Sequence, residues 1–352
     1  MAPKTIGGAS LIKKGILKAS IFTIILVFIM SCLNSLFILK TGYRSNLYQG
    51  LYANTGDKYD VVLLGSSHMH AAISPNLLWN DYGITSFNYA TAGEPIDVTY
   101  YLLKEVLKKQ ENPIVVVDLY YLGLTQEYGE GGYISHVIDN MKLSKNKIDA
   151  ILACTPKNER QEYLIPFIKY HYRWRDLTKL DVMFDKLNNY YEKGFSVGRD
   201  RYGKNNKSNV YAQGVEELPP KSEEYLYKII NLSKEKGFKL IFTNAPYDDT
   251  STKGKSNWHE APGKMFNKVD EICKENNVEF INYNKKFDKI GFDFKSDMYN
   301  SGHLNIKGSD KVTKYLGGFL KDKYGLKDHG DDKNYEQWNK DYIRYTKIRK
   351  KV

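Results

Sequence analysis

Apolar and polar positions fall into three patterns along the chain. The first is a single block near the N-terminus: residues 19–39 (ASIFTIILVFIMSCLNSLFIL) hold no charge and are flanked by Lys18 and Lys40. As a helix rising about 1.5 Å per residue, the block would span roughly 30 Å, the thickness of a bilayer's hydrocarbon core. The second pattern is a series of short, continuously apolar runs that stop at turn residues. These are residues 60–64 before Gly65, 86–90 before Gly93, 114–119 after Pro113, 239–244 before Pro246, and 278–282. Runs without alternation predict strands buried on both faces, as in a parallel sheet. The third pattern is helix-like and lies between the runs, at residues 96–109, 221–236 and 264–277. Strand and helix in alternation predict a doubly wound α/β domain whose functional loops sit at the carboxyl ends of the strands.

One interval breaks that rhythm. Residues 120–237 separate the third strand from the fourth, too many for one crossover helix. Within it, residues 135–188 read as mostly helical and rich in Tyr, Lys and Arg, and residues 189–220 as polar and irregular. The expectation is an inserted cap over the strand ends, about residues 125–220, and not an independent domain. The expected organisation is therefore a cytoplasmic segment (1–18), a transmembrane helix (19–39), a juxtamembrane linker (40–57), an α/β domain (58–325) and a charged C-terminal tail (326–352). That tail alternates charge with Tyr335, Trp338, Tyr342 and Tyr345, which suits a surface helix.

Charge changes the picture by its placement. The net charge is +11, of which residues 1–18 supply +4 and residues 321–352 another +4. The body between is nearly neutral, which argues against a nucleic-acid enzyme with basic charge spread over its fold. Lys4, Lys13, Lys14 and Lys18 predict a cytoplasmic N-terminus and an extracellular remainder, a single-pass protein of the cell membrane. A cleaved signal peptide has the same polarity, but the apolar run is longer than a usual signal core and no small-x-small site closes it. A loose lipoprotein-like box ends at Cys32, yet seven more mostly apolar residues follow. The three cysteines include no CxxC pair, so neither a disulfide scaffold nor a zinc ribbon is expected.

Candidate chemistry begins with Gly65-Ser66-Ser67-His68, directly after the first strand. A serine on a tight strand-to-helix turn projects its hydroxyl above the sheet, and its own N–H can help hold an oxyanion. The same residues also suit a simple turn. More than 230 residues later comes Asp297-Met298-Tyr299-Asn300-Ser301-Gly302-His303, followed by a helix-like run from Ile306. A histidine there can reach a serine on the first strand and act as general base, then general acid. The pairing says more than either residue alone.

These blocks, GSSH after the first strand, FNYATAGEP after the second and DMYNSGHLNIKG before the last helix, resemble the SGNH/GDSL hydrolases. Within them the similarity is to membrane-anchored members associated with O-acetylation of bacterial surface polysaccharides. The resemblance covers roughly residues 58–325 without the cap. It implies a flavodoxin-like three-layer sandwich with five parallel strands in the order 2-1-3-4-5, and serine ester chemistry with no metal and no organic cofactor. It implies Ser67 as nucleophile, the Ser67 and Gly93 amides as oxyanion hole, and His303 as the catalytic histidine. Two departures follow. The family's Gly-x-Asn-Asp block after the middle strand is absent, and Asn244 is a candidate substitute donor. The family's aspartate three residues before the histidine is Asn300 here, so either Asn300 orients the ring or Asp297 supplies the acid.

Other residues carry alternatives. His68, His70 and His303 lack the acidic company a metal site needs, and His68 is expected to shape the pocket or touch substrate. Asp118 and Tyr120 are further pocket candidates. In Tyr170-His171-Tyr172-Arg173-Trp174-Arg175, aromatic faces and arginine suit a sugar or an anion, with His171 and Arg173 as candidates; an amphipathic helix docking the cap fits equally. The functional expectation is an extracytoplasmic serine O-acyltransferase or esterase, acting on an exported polysaccharide with a membrane-bound O-acyltransferase as acyl-donor partner. The alternative is a catalytically silent SGNH-like module that binds glycan or scaffolds a synthesis complex.

Overall fold

Five short strands, β1 (Val61–Leu64), β2 (Ser86–Asn88), β3 (Ile114–Asp118), β4 (Lys239–Asn244) and β5 (Glu279–Asn282), form one wholly parallel sheet in the order β2-β1-β3-β4-β5. They come from a computed structural model that describes residues 7–40, 47, 49–53, 58–182, 190–204 and 212–351. The order is the flavodoxin-like one, in which the chain reverses direction across the sheet between β1 and β3. Register is fixed by pairs such as Val62↔Phe87 and Val62↔Val115.

Alternate strand residues feed two cores. Val62, Leu64, Val115, Val117 and Phe242 face the helices Ile96–Val106, Pro220–Lys236 and Pro262–Glu275. Val61, Leu63, Val116 and Ile241 face the helices Ser67–Ala72, Pro75–Tyr82 and Ile306–Tyr324. Each of these nine strand side chains is fully buried, a stabilisation of about 1.5–3 kcal/mol apiece. The apolar runs are continuous because both faces of the sheet are covered.

The insertion is a set of short helices, Gly131–Ile138, Lys145–Cys154, Arg160–Leu164, Pro166–Tyr170 and Lys179–Val182, with a 3-10 turn at His171–Arg175. Residues 183–189 and 205–211 of the expected cap lie outside the described residues. Its first helix reaches the strand ends, where Tyr133 lies over Gly93. Its later part grips the N-terminal helix instead. Residues 190–198 then run past the edge of β2, where the Asn88 N–H donates to the Lys193 carbonyl (2.9 Å).

The N-terminal helix, Gly7–Phe37, begins earlier than expected, and its stretch Leu11–Phe37 is long and apolar enough to cross a membrane. Two expectations at the domain's margins need correction. Part of the linker packs into the core: Gln49–Ala53 forms a π-helical turn with Leu51 buried, and the Tyr89 hydroxyl donates to the Gly50 carbonyl (3.1 Å). The charged C-terminal tail is a helix, as its pattern suggested, but not one confined to the surface. Helix Glu336–Lys351 buries Trp338 and Tyr345, and its Asp341 pairs with the buried Lys193. Its charges looked solvated in sequence because its apolar contacts are aromatic and widely spaced.

Candidate active site

β1 ends because Gly65 turns the backbone through φ +126°, where a side chain would strain. A Cβ there would also lie 2.9 Å from the Asp118 carbonyl oxygen. Ser66 then caps the helix Ser67–Ala72, its hydroxyl accepting from the His68 N–H (3.3 Å). Ser67 is thus the first helical residue, half-exposed above the carboxyl end of β1, beside the point where the sheet reverses. Its N–H, at a first-turn position, has no acceptor within the helix.

His303 comes from the opposite end of the chain. Its loop is folded back by the Tyr299 N–H on the His303 carbonyl (2.8 Å) and the Asp248 N–H on the Ser301 carbonyl (2.7 Å). The result is a 2.8 Å contact between His303 Nε2 and Ser67 Oγ, across 236 residues of sequence. On the ring's other side Nδ1 lies 3.1 Å from Asn300 Oδ1, which also accepts the Gly302 and His303 amides, both at 2.9 Å. Two backbone donors on one atom identify it as the oxygen, so Nδ1 carries the proton and Nε2 is free to accept one from serine. Burial, then the charge of Lys255, holds the His303 pKa below its ordinary value.

Asp297 is not the acid of this arrangement. It is buried, with Oδ2 accepting from the Asp293 N–H (2.8 Å) and Lys311 Nζ (2.7 Å) and Oδ1 from the Ser296 hydroxyl (2.9 Å). Six residues of separation let it point into the base of the following helix, and the nearer Asn300 takes the ring.

The loop after β2 supplies the second wall. Gly93 has φ +61°, and a Cβ there would sit 2.1 Å from the Tyr133 ring. The loop is tied to β1 through the Thr91 N–H on the Gly65 carbonyl (3.2 Å). It is pinned by Glu94, a buried carboxyl that sequence reasoning missed, which accepts from Thr91 Oγ1 (2.8 Å), Thr91 N–H (3.2 Å) and Thr99 Oγ1 (2.7 Å). Burial pushes the Glu94 pKa up to about 8. The threonines three and five residues away, Thr91 and Thr99, were the available signal.

His68 is buried, its ring stacked between Tyr120 (centroids 3.3 Å, planes 15° apart) and His303 (4.8 Å, 28°). Its Nε2 lies against Gly302. Burial first, then the neighbouring His303, holds its pKa well below the ordinary imidazole value. Tyr120 is fixed in turn by its hydroxyl on Ser251 Oγ (3.0 Å). His68 and Tyr120 therefore form the wall behind the His303 ring and are shut off from solvent.

The other candidates lie elsewhere. Asn244 is two strands from β1, roughly 10 Å at the usual inter-strand spacing, and its amide faces Asn282 (3.5 Å). It is not placed to join an oxyanion hole with Ser67. Asp118 is buried and ties the ends of β3 and β4 together, accepting from the Tyr120 N–H (3.0 Å) and the Ala245 N–H (2.9 Å); burial pushes its pKa up to about 6. His171 is exposed, with Nδ1 on the Ile168 carbonyl (2.8 Å). Arg173 reaches the Phe37 carbonyl at the end of the N-terminal helix (2.5 Å) and pairs with Asp181 (2.8 Å). A cation over the last carbonyls of a helix satisfies groups that have no partner within it. Among the described residues, no group of three His, Cys, Asp or Glu side chains could hold a metal ion.

A cavity of about 540 Å³ opens between the end of the N-terminal helix and the cap. Neither Ser67 nor His303 lines it. It meets the reaction centre only through Tyr133, which forms one of its walls and also covers Gly93.

No protein-family profile and no curated protein matches this chain. Solved structures similar to it include a putative acylhydrolase from Bacteroides fragilis, 10% identical over 81% of this chain and 99% of that one, with TM-score 0.38. They also include a psychrotrophic esterase from Pseudoalteromonas sp. (13%, 76% and 100%, TM-score 0.37) and a GDSL-like lipase from Bacteroides thetaiotaomicron (10%, 80% and 98%, TM-score 0.37). Likeness at this level carries no functional weight. The side chains at the strand ends carry it.

Proposed function

We propose that this chain is a serine-dependent acyltransferase or esterase of the SGNH/GDSL type. It is held at the outer face of the cell membrane and moves acyl groups, acetyl foremost, on an exported or cell-surface polysaccharide. The observation that carries the reading is the 2.8 Å contact of Ser67 Oγ with His303 Nε2, backed by Asn300.

In this mechanism Ser67 Oγ attacks the acyl carbonyl as Nε2 takes its proton. The oxyanion of the tetrahedral intermediate is met by the Ser67 and Gly93 amides. His303 returns the proton to the departing oxygen, which leaves an acyl-Ser67 ester. A sugar hydroxyl or water, deprotonated by His303 in its turn, then attacks that ester and frees Ser67. Asn300 holds the tautomer throughout but offers no charge to the imidazolium, a cost that a carboxylate would offset.

The N-terminal helix supports placement at a membrane, and the resemblance in the catalytic blocks supports a membrane-bound O-acyltransferase as the source of acyl groups. Ser67→Ala and His303→Ala should each abolish polymer acetylation while leaving protein level unchanged. Normal acetate content in either variant would sink the mechanism. Incubation with an activated acetyl ester, with and without oligosaccharide, separates transfer (acetylated sugar) from hydrolysis (acetate alone). The neutral Asn300 and the missing Gly-x-Asn-Asp block after the middle strand support the silent glycan-binding module. Failure of a fluorophosphonate to label Ser67 would favour that reading.

A further inference from the structure

Resting on the reading that the N-terminal helix spans a bilayer, we propose that the cap rim formed by Ile168, Tyr172, Trp174 and Val182 is seated in the membrane interface. The lipid surface is then a direct partner of the catalytic domain, beyond the helix that crosses it.

The argument starts from where the cap holds the helix. Phe37 and Ile38 are buried against Tyr170, the Phe167 N–H donates to Asn34 Oδ1 (2.9 Å), and Arg173 reaches the Phe37 carbonyl. A hydrocarbon core of about 30 Å that begins after Lys18 ends some 20 residues later, near Ile38. Elements fastened to residues 34–38 therefore sit at the boundary between acyl chains and headgroups.

Those same elements carry apolar surface that no other described part of the chain covers. Ile168 is 43% exposed, Tyr172 61%, Trp174 62% and Val182 66%, on the helix, 3-10 turn and short helix that touch residues 7–37. The other three tryptophans, Trp79, Trp258 and Trp338, are all buried. Tryptophan and tyrosine collect at membrane–water interfaces, where an amphipathic ring has one side apolar and the other wet. The Arg175 guanidinium lies 4.5 Å over the Trp174 ring, which leaves a cation at headgroup level. Continuity with the apolar helix selects lipid over a protein partner, since any occupant of this rim must share its level with the bilayer.

Trp174, the exposed tryptophan, makes the test direct. The full chain is reconstituted in phosphatidylcholine vesicles, and tryptophan emission is compared with vesicles whose lipid is brominated at carbons 6 and 7 of one acyl chain. Wild-type protein should lose the share of emission that Trp174 contributes. Trp174→Phe should be indifferent to bromine, because its three remaining tryptophans are in the α/β body. Protein that resists alkaline carbonate extraction yet shows no Trp174-dependent quenching would overturn the proposal and leave the spanning helix standing. Extraction by carbonate would overturn both the spanning reading and this proposal. Quenching that persists unchanged in Trp174→Phe would also overturn it, since the rim would not be its source.

Discussion

Asn300 Oδ1 lies 3.1 Å from His303 Nδ1 while accepting two backbone amides, so the group that orients the His303 ring is a neutral amide carbonyl. The imidazole has its tautomer fixed but gains no stabilisation when it becomes charged. With burial also holding its pKa low, His303 should stay neutral and competent below the pH at which an ordinary histidine protonates.

A first prediction concerns this pair. Asn300→Asp keeps the acceptor for all three donors and adds a negative charge beside the ring. Charge of opposite sign favours the imidazolium, so the acid limb of the kcat/KM profile should move up by about one pH unit. Turnover on the alkaline plateau should rise several-fold. An unmoved acid limb would mean that another group controls it.

Asp297 offers the complementary case. Asp297→Ala leaves the Asp293 amide and the Ser296 hydroxyl without their acceptor, while the half-exposed Lys311 keeps the Gly291 carbonyl, and should cost about 1–3 kcal/mol of stability, read by denaturant unfolding. The folded fraction should keep the wild-type pH profile. A collapse of kcat in well-folded protein would restore Asp297 as the acid.

The ring stack leads to a third expectation. Tyr120, His68 and His303 stand in sequence, with His68 shut off from solvent. His68→Ala should lower kcat about tenfold with little change in KM, because the base loses its wall and its near-attack geometry. His68→Phe restores a flat ring and should recover most of that loss. Equal losses in both variants would show that the imidazole's nitrogens, not its face, are what matter.

A fourth concerns Gly93. A side chain at φ +61°, 2.1 Å from the Tyr133 ring, must displace that ring or the loop. Gly93→Ala should lower kcat by roughly 10²–10³, the cost of losing one oxyanion donor. Steady-state hydrolysis of an activated ester reads it. A near-normal kcat would place the oxyanion elsewhere.

What sequence could show and what it could not divide along physical lines. All five strands and the three long helices between them were legible, because burial on both faces leaves continuous apolar runs. Ser67 and His303 were legible through the blocks around them. The role of Arg173 was not: capping a helix more than 130 residues away leaves no local pattern, and the residue looks the same as one awaiting an anionic ligand. Asp118 and Asn244 stand at strand ends, where a carboxylate that ties two loops together cannot be told from one that meets substrate. Glu94 was hidden by its charge, since a buried protonated carboxyl is read from sequence as a solvated one. In Glu336–Lys351 the helix was legible but its packing was not, because its two buried aromatics are outnumbered by lysines.

The grip of Arg173 and Phe167 on the final turn of the N-terminal helix also has a mechanical meaning. A catalytic body clamped in this way cannot swing like a ball on a string. On the proposed reading, this would hold Ser67 at one height above the bilayer, and a polymer substrate would have to reach it there. Releasing the clamp with Arg173→Ala would widen the zone Ser67 patrols while lowering the time it spends at any one level.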